Sequence, residues 1–248
     1  MTSEFSTSLD VVLMVGGEGA RLRPLTNNCP KPMLEVGGIP IVERLLQNLI
    51  AVGFERVCFA VYYKAEVIEN YFGDGSRWGI AIEYLREETR MGTAGALALL
   101  RDKIDKPVLV MNGDLVTEAN FPKILEHHMQ CKAVATMCAV PFEITAPYGI
   151  VELEGSFLSS VREKPLLSAF ANAGIYVVSH EAIEIIPTGK PYDMPQLFEQ
   201  LISNKEKVGA YVINERWSDV GDLSELERVQ NEFAVKSRSL RDAKLSIL

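Results

Sequence analysis

The feature that most constrains the fold is an alternation of strand-like and helix-like segments along the first half of the chain. Short apolar runs, which are typical of strands buried on both faces, alternate with longer segments of helical spacing. The predicted strands are 11–14, 56–61, 80–85 and 107–111, and the predicted helices are 40–50 and 64–71. This order predicts an α/β fold, a Rossmann-like and mostly parallel sheet with helices on both faces. Right-handed crossovers then place the loops after the strands at the ligand-binding edge of the sheet.

The loop after the first predicted strand combines glycines with cations. These residues are Gly16, Gly17, Gly19, Arg21, Arg23 and Lys31. A phosphate can approach a glycine backbone closely, and guanidinium and ammonium groups balance its charge. The loop is neither a Walker A loop, which needs Gly-Lys-Ser/Thr, nor a dinucleotide fingerprint, because Leu22 stands in the place of the third glycine. Read alone, it is either a polyanion site of another class or a glycine turn with solvated cations.

Composition limits the partners that the chain can have. The 248 residues carry a net charge of −8, which repels polyanions, so we expect no nucleic-acid partner. No apolar run is long enough to span a bilayer, so we expect no membrane partner. The four cysteines include no Cys-x-x-Cys pair, which favours a reducing, cytoplasmic location over a disulfide framework or a zinc site. The adjacent His127 and His128 cannot share one helix face, and we interpret both as surface residues.

Three sites allow two interpretations each from the residues alone. Asp114 follows the predicted strand 107–111 and is either a ligand for a hard cation such as Mg²⁺ or a turn cap. The small residues that begin at Gly92 either let a flat base lie against the backbone or start a close-packed helix. Glu163 and Lys164 precede a proline, and by themselves they are most simply a solvated strand end.

The glycine loop resembles the signature of the sugar-1-phosphate nucleotidyltransferases. That signature reads roughly L-A-G-G-x-G-T-R-L-x-P-L-T and then K-P-M or K-P-L, whereas residues 14–26 and 31–33 read MVGGEGARLRPLT and KPM. Val15 replaces the usual Ala, and Ala20 replaces the usual Thr, which removes one hydroxyl that could bind a nucleotide phosphate. Further motifs of the family follow in its usual order: Tyr148-Gly149, Glu163-Lys164-Pro165, Asn172 to Tyr176, and W-x-D-x-G at Trp217 to Gly221. The resemblance spans about residues 12–229.

This resemblance implies that the chain joins a nucleoside triphosphate and a sugar 1-phosphate to give an NDP-sugar and pyrophosphate, with Mg²⁺ as cofactor. The implied catalytic cations are Arg21 and Lys31, and the implied metal ligands are Asp114 and Asp219. The implied nucleotide-binding residues are Gly16, Gly17, Gly19, Arg21, Glu88, Gly92 and Thr93. The implied sugar-phosphate-binding residues are Gly149, Glu163, Lys164 and Asn172. Glu87 adjoins Glu88, and the residues alone leave open which of the two carboxylates faces the base.

The resemblance also divides the chain and narrows the substrates. A nucleotidyltransferase domain at 11–233 would contain a nucleotide-binding part at about 11–115 and a smaller, mixed sugar-binding part at about 116–222, between an N-terminal tail at 1–10 and a helical tail at 234–248. The sequence is most similar to guanylyltransferase domains of legionaminate-type sugar pathways, which implies GTP and an amino-sugar 1-phosphate such as glucosamine 1-phosphate. Thymidylyl-, uridylyl- and mannose-1-phosphate guanylyltransferases, and a non-catalytic nucleotide-sugar sensor, are the alternatives. The resemblance also allows a homo-oligomer, and it fits either a trimmed domain or a short enzyme.

Overall fold

The computed structural model describes residues 10–245, with side chains for residues 10–235. The strands of these residues are β1 Val11–Met14, β2 Glu35–Val36, β3 Ile39–Pro40, β4 Arg56–Val61, β5 Ala81–Arg86, β6 Val108–Asn112, β7 Leu115–Thr117, β8 Ala135–Thr145, β9 Ile150–Glu154, β10 Phe157–Arg162, β11 Leu166–Val178, β12 Val208–Val212 and β13 Trp217–Asp219. The α-helices are α1 Ile41–Ala51, α2 Ala65–Phe72, α3 Gly92–Gly95, α4 Phe121–Cys131, α5 His180–Glu184, α6 Met194–Ser203 and α7 Leu223–Leu245.

Seven of the strands form the main sheet, in the order β12-β8-β11-β6-β1-β4-β5. The neighbours β6, β1, β4 and β5 are parallel, and β12 is parallel to β8. β11 is antiparallel to both of its neighbours, β6 and β8. Six strands of this sheet therefore run in one direction and β11 runs in the other. The prediction of a mostly parallel α/β sheet is confirmed.

Two apolar cores cover the two faces of this sheet. Within β1, Val11 and Leu13 belong to one core and Val12 belongs to the other, because successive side chains of a strand point to opposite faces. Helices α1, α2 and α4 contribute to the first core, and α3, α5 and α6 contribute to the second. A strand between two helical layers must be apolar at every position, which is why the predicted strands lack polar alternation.

A lobe of β-structure extends away from the sheet. The carboxyl-terminal half of β8 pairs with the amino-terminal half of β11, from Ala139↔Asn172 out to Thr145↔Leu166. β9 and β10 then form a separate two-stranded antiparallel sheet between them. Most side chains of residues 141–170 are exposed, unlike those of the main sheet. This lobe is therefore a small antiparallel β-structure, without parallel strand pairs among the described residues.

The interpretation of His128 as a surface residue is wrong. His128 is only 2% exposed, and its ring nitrogens lie 2.9 Å from Thr136 Oγ1 and 3.2 Å from Ser179 Oγ. Burial lowers the pKa of His128, and the neighbouring His127 lowers it further. The ring therefore serves as a neutral hydrogen-bonding bridge between α4 and the sheet.

Other local predictions differ from the structure at the ends of elements. The helix start that was one interpretation of the small residues from Gly92 is the single turn α3, and a 3₁₀ segment at Ala96–Lys103 follows it. The predicted N-terminal tail lies outside the described residues except for Asp10, and residues 246–248 of the predicted helical tail also lie outside them. Within the described part of the chain, no helix combines the length and the apolar composition that crossing a bilayer requires.

Candidate active site

Lys31 lies between the two predicted metal ligands. It begins a 3₁₀ turn between two prolines, it is 8% exposed, and its Nζ donates to Oδ2 of Asp114. The same Nζ lies 3.5 Å from Oδ1 of Asp219. The two carboxylates meet because β13 pairs antiparallel with β7, so that Asp219 lies opposite Leu115, the residue after Asp114. The backbone N–H of Val220 also donates to the carbonyl of Asp114 at 3.2 Å.

The two carboxylates form an electrostatically strained pair. Burial raises the pKa of Asp219, and the charge of Asp114 raises it further, while Lys31 and Arg21 oppose the rise. Oδ1 of each carboxylate is buried; that of Asp114 accepts no hydrogen bond from the described residues, and that of Asp219 has the Lys31 ammonium 3.5 Å away. Buried anionic oxygens without donors are costly unless a cation neutralises them. The pair therefore fits a hard cation such as Mg²⁺, which takes oxygen ligands.

The protein supplies only part of a metal coordination shell. Among the described residues, no group of three or more His, Cys, Asp or Glu side chains could hold a metal ion. Mg²⁺ in phosphoryl-transfer sites is commonly held by one or two carboxylates, with substrate phosphates and water as the other ligands. Asp114 and Asp219 would hold it in this way.

A small cavity of about 160 Å³ opens beside the glycine loop. It is lined by Met14, Gly16, Gly17, Tyr62, Glu87, Arg90, Gly92, Thr93, Asn112, Asp114 and Asp193. The structure thus brings together four of the predicted nucleotide-binding residues with one predicted metal ligand. Gly19 instead packs against Lys31: it has a φ of +61°, and an added Cβ would lie 2.8 Å from Cβ of Lys31.

Asp193 fixes the loop that carries Gly92 and Thr93. Its Oδ1 accepts hydrogen bonds from Thr93 N at 2.8 Å and from Thr93 Oγ1 at 3.2 Å. Gly92 has a φ of +78°, and an added Cβ would lie 2.6 Å from the same oxygen, so only glycine fits there. Sequence reasoning did not identify Asp193. Its signal was the capping box with Gln196 at the start of α6, a local pattern that does not reveal the contact with Thr93.

The structure distinguishes the two adjacent glutamates after β5. Glu87 lines the small cavity, and its Oε2 accepts a hydrogen bond from Met91 N at 2.8 Å. Burial raises the pKa of Glu87, whereas the Met91 N–H and Arg90 oppose the rise. Glu88 is exposed and is not among the residues that line this cavity. The carboxylate that faces the cavity is therefore that of Glu87.

A second, larger cavity of about 780 Å³ lies on the other side of the carboxylate pair. Arg21, Asn172 and Asp219 line it, and the guanidinium of Arg21 lies against Gly221, 3.4 Å from the position of an added Cβ. Asn172 donates from Nδ2 to the hydroxyl of Tyr176 at 2.8 Å, which holds the amide in place. Asp114 lines the small cavity and Asp219 lines the large one, so the carboxylate pair separates the two spaces.

Three predicted sugar-phosphate residues lie on the lobe. Gly149 and Glu163 are adjacent, since an added Cβ on Gly149 would lie 2.9 Å from Oε2 of Glu163. Lys164 follows with a φ of +43°. All three are exposed, and none is among the residues that line the two cavities described above. Their role in binding a sugar phosphate stays a prediction.

Two contacts that sequence reasoning missed hold Asp219 in position. Trp217 donates from Nε1 to the carbonyl of Ala173 at 2.8 Å, which ties β13 to β11. Arg228 of α7 donates to Ser218 Oγ at 2.6 Å. The tryptophan of the W-x-D-x-G motif was visible in the sequence, but its acceptor lies 44 residues away.

Comparison with known proteins places this geometry in a family. The family model described as nucleotidyl transferase matches residues 10–236. The chain belongs to the nucleotidyl transferase family. Among its relatives, mannose-1-phosphate guanylyltransferase from Mycobacterium tuberculosis is 34% identical over 228 residues, covering 89% of this chain and 63% of the relative. UTP–glucose-1-phosphate uridylyltransferase from Synechocystis is 31% identical over 236 residues, covering 87% of this chain and 61% of the relative.

A solved structure shares the fold of this chain. The structure of HddC from Yersinia pseudotuberculosis matches with a TM-score of 0.72 and 25% identity, covering 91% of this chain and 99% of that one. The chain spans somewhat less than two thirds of the length of the two curated relatives, 63% and 61%. The family assignment that the sequence motifs predicted is confirmed.

Proposed function

We propose that this chain catalyses the transfer of a nucleotidyl group from a nucleoside triphosphate to a sugar 1-phosphate. The observation that carries the proposal is the position of Asp114 on the small cavity and Asp219 on the large cavity, with Lys31 in contact with both. Such an arrangement brings two phosphorylated substrates together at one point between two spaces. The two relatives named above act on a sugar 1-phosphate, according to their names.

The reaction needs electrostatic help more than a side-chain nucleophile. A phosphate oxygen of the sugar 1-phosphate attacks the α-phosphorus of the triphosphate, the bond from that phosphorus to the bridging oxygen breaks, and pyrophosphate leaves. Lys31 and Arg21 would lower the repulsion between the two anions and balance charge on the α-phosphoryl oxygens. Mg²⁺ bound by Asp114 and Asp219 would add charge neutralisation and orient the phosphates. Gly16 and Gly17 line the small cavity, where their backbone carries no side chain that would keep a phosphate away.

We propose guanine as the base, with Glu87 as the residue that reads it. Guanine presents two donors on one edge, N1–H and the exocyclic amine, and a carboxylate can accept from both. Uracil and thymine present one N–H between two carbonyls, so a carboxylate at that edge leaves an unfavourable oxygen–oxygen contact. The Met91 N–H fixes the Glu87 carboxylate at the cavity wall, which supports this role. The exposed position of Glu88 makes Glu87 the better candidate.

We propose an amino sugar as the second substrate because the large cavity is acidic. Glu215, Asp222 and Glu225 line it together with Asp219, and Arg21 is the one cation among its lining residues. Asp222 caps α7, and Glu225 accepts a hydrogen bond from Arg228 at 2.8 Å. Glu215 has no cationic partner among the described residues and is free to attract the ammonium group of a sugar such as glucosamine 1-phosphate. Mannose 1-phosphate, the substrate named for the mycobacterial relative, is the alternative.

The test is pyrophosphate release with GTP, UTP, dTTP and CTP at equal concentration, each with glucosamine 1-phosphate and with mannose 1-phosphate. We expect the highest kcat/KM for GTP with glucosamine 1-phosphate. Glu87→Gln should reduce the preference for GTP, whereas the matched control Glu88→Gln should leave it unchanged. Glu215→Gln should raise KM for glucosamine 1-phosphate and not for mannose 1-phosphate. A preference for UTP or dTTP would refute the guanine assignment, and release with no pair of substrates would refute the transferase.

A further inference from the structure

The small cavity beside the glycine loop has one aromatic side chain in its wall, that of Tyr62. Tyr62 is 38% exposed, and the other described residues that line the cavity are not aromatic. Its hydroxyl forms no hydrogen bond with another described residue. A single exposed aromatic residue is ordinary on a protein surface, so exposure alone assigns Tyr62 no role. Its placement beside the glycine backbone and beside Glu87 does.

The backbone after Tyr62 is attached to the glycine loop. Tyr63 N donates to the carbonyl of Gly16 at 3.3 Å, and the Tyr63 hydroxyl lies 3.1 Å from the carbonyl oxygen of Thr26 and 3.2 Å from that of Asn27. Cβ of Tyr62 lies 3.0 Å from the position of an added Cβ on Gly16. The side chain of Tyr62 therefore begins directly beside the glycine backbone, on a segment that is already fixed. An aromatic side chain on a fixed segment loses little conformational freedom on binding.

The register of two parallel strands places Tyr62 next to Glu87. Val61 and Arg86 are partners at the ends of β4 and β5, and Glu87 N donates to the carbonyl of Val61 at 3.0 Å. Tyr62 and Glu87 are the residues that directly follow these two strands, at the edge where parallel sheets bind ligands. Both line the small cavity, together with Gly92. An aromatic ring, a carboxylate and a backbone without a side chain thus surround one space.

We propose that the ring of Tyr62 stacks on the base of the bound nucleoside triphosphate, next to the Glu87 carboxylate. The proposal rests on the nucleotide site of the proposed function and adds the residue that holds the flat face of the base. The edge of a base carries its hydrogen-bonding groups, whereas its face stacks on an aromatic ring whichever base it is. Tyr62 therefore supplies affinity for every base, and Glu87 supplies the preference among bases.

Arg90 is the other side chain of this cavity that could lie flat against a base, because guanidinium planes also stack on bases. Arg90 is exposed, and its side chain forms no hydrogen bond with another described residue. The segment that carries Tyr62, in contrast, is bonded to the glycine loop through Tyr63. A ring on a fixed segment is the better stacking surface, and the two side chains can be distinguished by substitution.

The test is the affinity of the chain for GTP and for UTP, measured by isothermal titration calorimetry with Mg²⁺ and without a sugar phosphate. Tyr62→Ala should weaken the binding of GTP on the order of tenfold to a hundredfold. UTP should also bind more weakly to Tyr62→Ala, by a smaller factor, because its single ring offers less area for stacking. Tyr62→Phe retains the ring and should bind GTP nearly as tightly as the unmodified chain.

Inorganic tripolyphosphate is the matched control ligand, because it has the phosphates of GTP and no base. Tyr62→Ala should bind it as tightly as the unmodified chain does. An equal loss of affinity for tripolyphosphate and for GTP would mean that Tyr62 supports the glycine loop, and this result would overturn the proposal. Circular dichroism checks that the variants fold. Tyr62→Leu fills more of the space than alanine but has no aromatic face, so it should lose affinity for GTP as well.

Two further results would overturn the stacking role alone. One is an unchanged affinity of Tyr62→Ala for GTP. The other is a loss of affinity in Arg90→Ala that Tyr62→Ala does not show, since the base would then lie against the guanidinium. In both cases the unmodified chain still binds triphosphates, so the proposed function stands. If the unmodified chain bound none of the triphosphates, the proposed function and the stacking role would both be refuted.

Discussion

Replacing Asp219 with asparagine should abolish activity without weakening the fold. Oδ1 of Asp219 is buried, and it lies 3.5 Å from the ammonium of Lys31. Loss of one interaction aimed at charge in the transition state typically costs about a hundred- to a thousandfold in turnover. We therefore expect Asp219→Asn to reduce pyrophosphate release by at least about a hundredfold, with GTP and glucosamine 1-phosphate both saturating.

The same substitution should keep or raise the melting temperature in the presence of chelator. Burial and Asp114 raise the pKa of Asp219, so the ionised carboxylate is disfavoured in the folded state relative to the unfolded state. Removing that charge stabilises the folded chain, and because the side chain is partly exposed we limit the effect to about 1 kcal/mol. For a chain of this size, 1 kcal/mol corresponds to a shift of about 2–4 °C.

The pH dependence of stability independently checks the sign of the stability change that Asp219→Asn causes. A carboxyl whose folded-state pKa is raised costs stability above the ordinary pKa of 3.8, and the cost is complete once the pH exceeds the folded-state pKa. The gain in stability of Asp219→Asn over the unmodified chain should therefore be largest near pH 7 and shrink as the pH falls toward 3.8. Differential scanning calorimetry at several pH values, with chelator throughout, measures the difference.

The response of the melting temperature to Mg²⁺ provides a further measurement. A ligand at ten times its Kd stabilises the folded state by about 1.4 kcal/mol, so Mg²⁺ should raise the melting temperature of the unmodified chain by several degrees. Asp219→Asn should lose most of that response. Asp222→Ala is the matched control: it removes the cap of α7, where Asp222 Oδ1 accepts from Glu225 N at 2.9 Å, and should lower the melting temperature slightly while keeping the Mg²⁺ response. A destabilised Asp219→Asn variant with a normal Mg²⁺ response would refute the reasoning and make Asp219 structural.

Three further predictions concern residues around the site and in the core. Arg21→Ala should lose about 2.7–4 kcal/mol of transition-state stabilisation in steady-state kinetics, while its melting temperature changes little because Arg21 is exposed. Equal free-energy losses in activity and in stability would mean that Arg21 has a structural role. Trp217→Phe removes the donor to the Ala173 carbonyl and should cost about 1–3 kcal/mol in urea unfolding, together with a raised Mg²⁺ requirement; no change in either would contradict the positioning role. His128 has a lowered folded-state pKa, so its contribution to stability is complete above the ordinary pKa of 6.5 and is lost as the pH falls. His128→Gln should therefore remove the loss of stability between pH 7 and pH 5. An unchanged dependence of urea unfolding on pH would contradict this prediction.

Much of the fold was predictable because its signals are local. The buried strand at β1, the glycines that follow it and the helix α1 are each specified by neighbouring residues, and a parallel sheet follows from their order. The position of Asp114 was predictable for the same reason, since a carboxylate that follows a buried parallel strand lies at the edge where such sheets bind ligands, although the residues alone left a turn cap as the other interpretation. The family motifs added Asp219, whose partner Asp114 is distant in the sequence. No property of either residue alone predicts their contact.

The tertiary structure decided in which direction individual side chains point. Glu87 and Glu88 are chemically identical neighbours, and the backbone after β5 determines that Glu87 lines the cavity. His128 follows Phe121 and Ile124 at the spacing of a buried helix face, a signal that its interpretation as a surface residue overlooked, and its hydroxyl partners come from β8 and from the residue before α5. A polar side chain can be buried only where hydrogen-bond partners exist, and the packing of distant segments determines where those partners lie.

What the sequence determined by itself was the α/β order, and its family motifs pointed to the first loop and the two carboxylates as candidate site residues. What only the tertiary structure decided was which residues meet: the contact of Lys31 with both carboxylates and the hydrogen bonds of Asp193 to Thr93. The physical reason is the range of the forces involved. Backbone propensity and side-chain periodicity act over a few neighbouring residues, whereas burial, ion pairing and pKa shifts depend on groups that folding brings together from far along the chain.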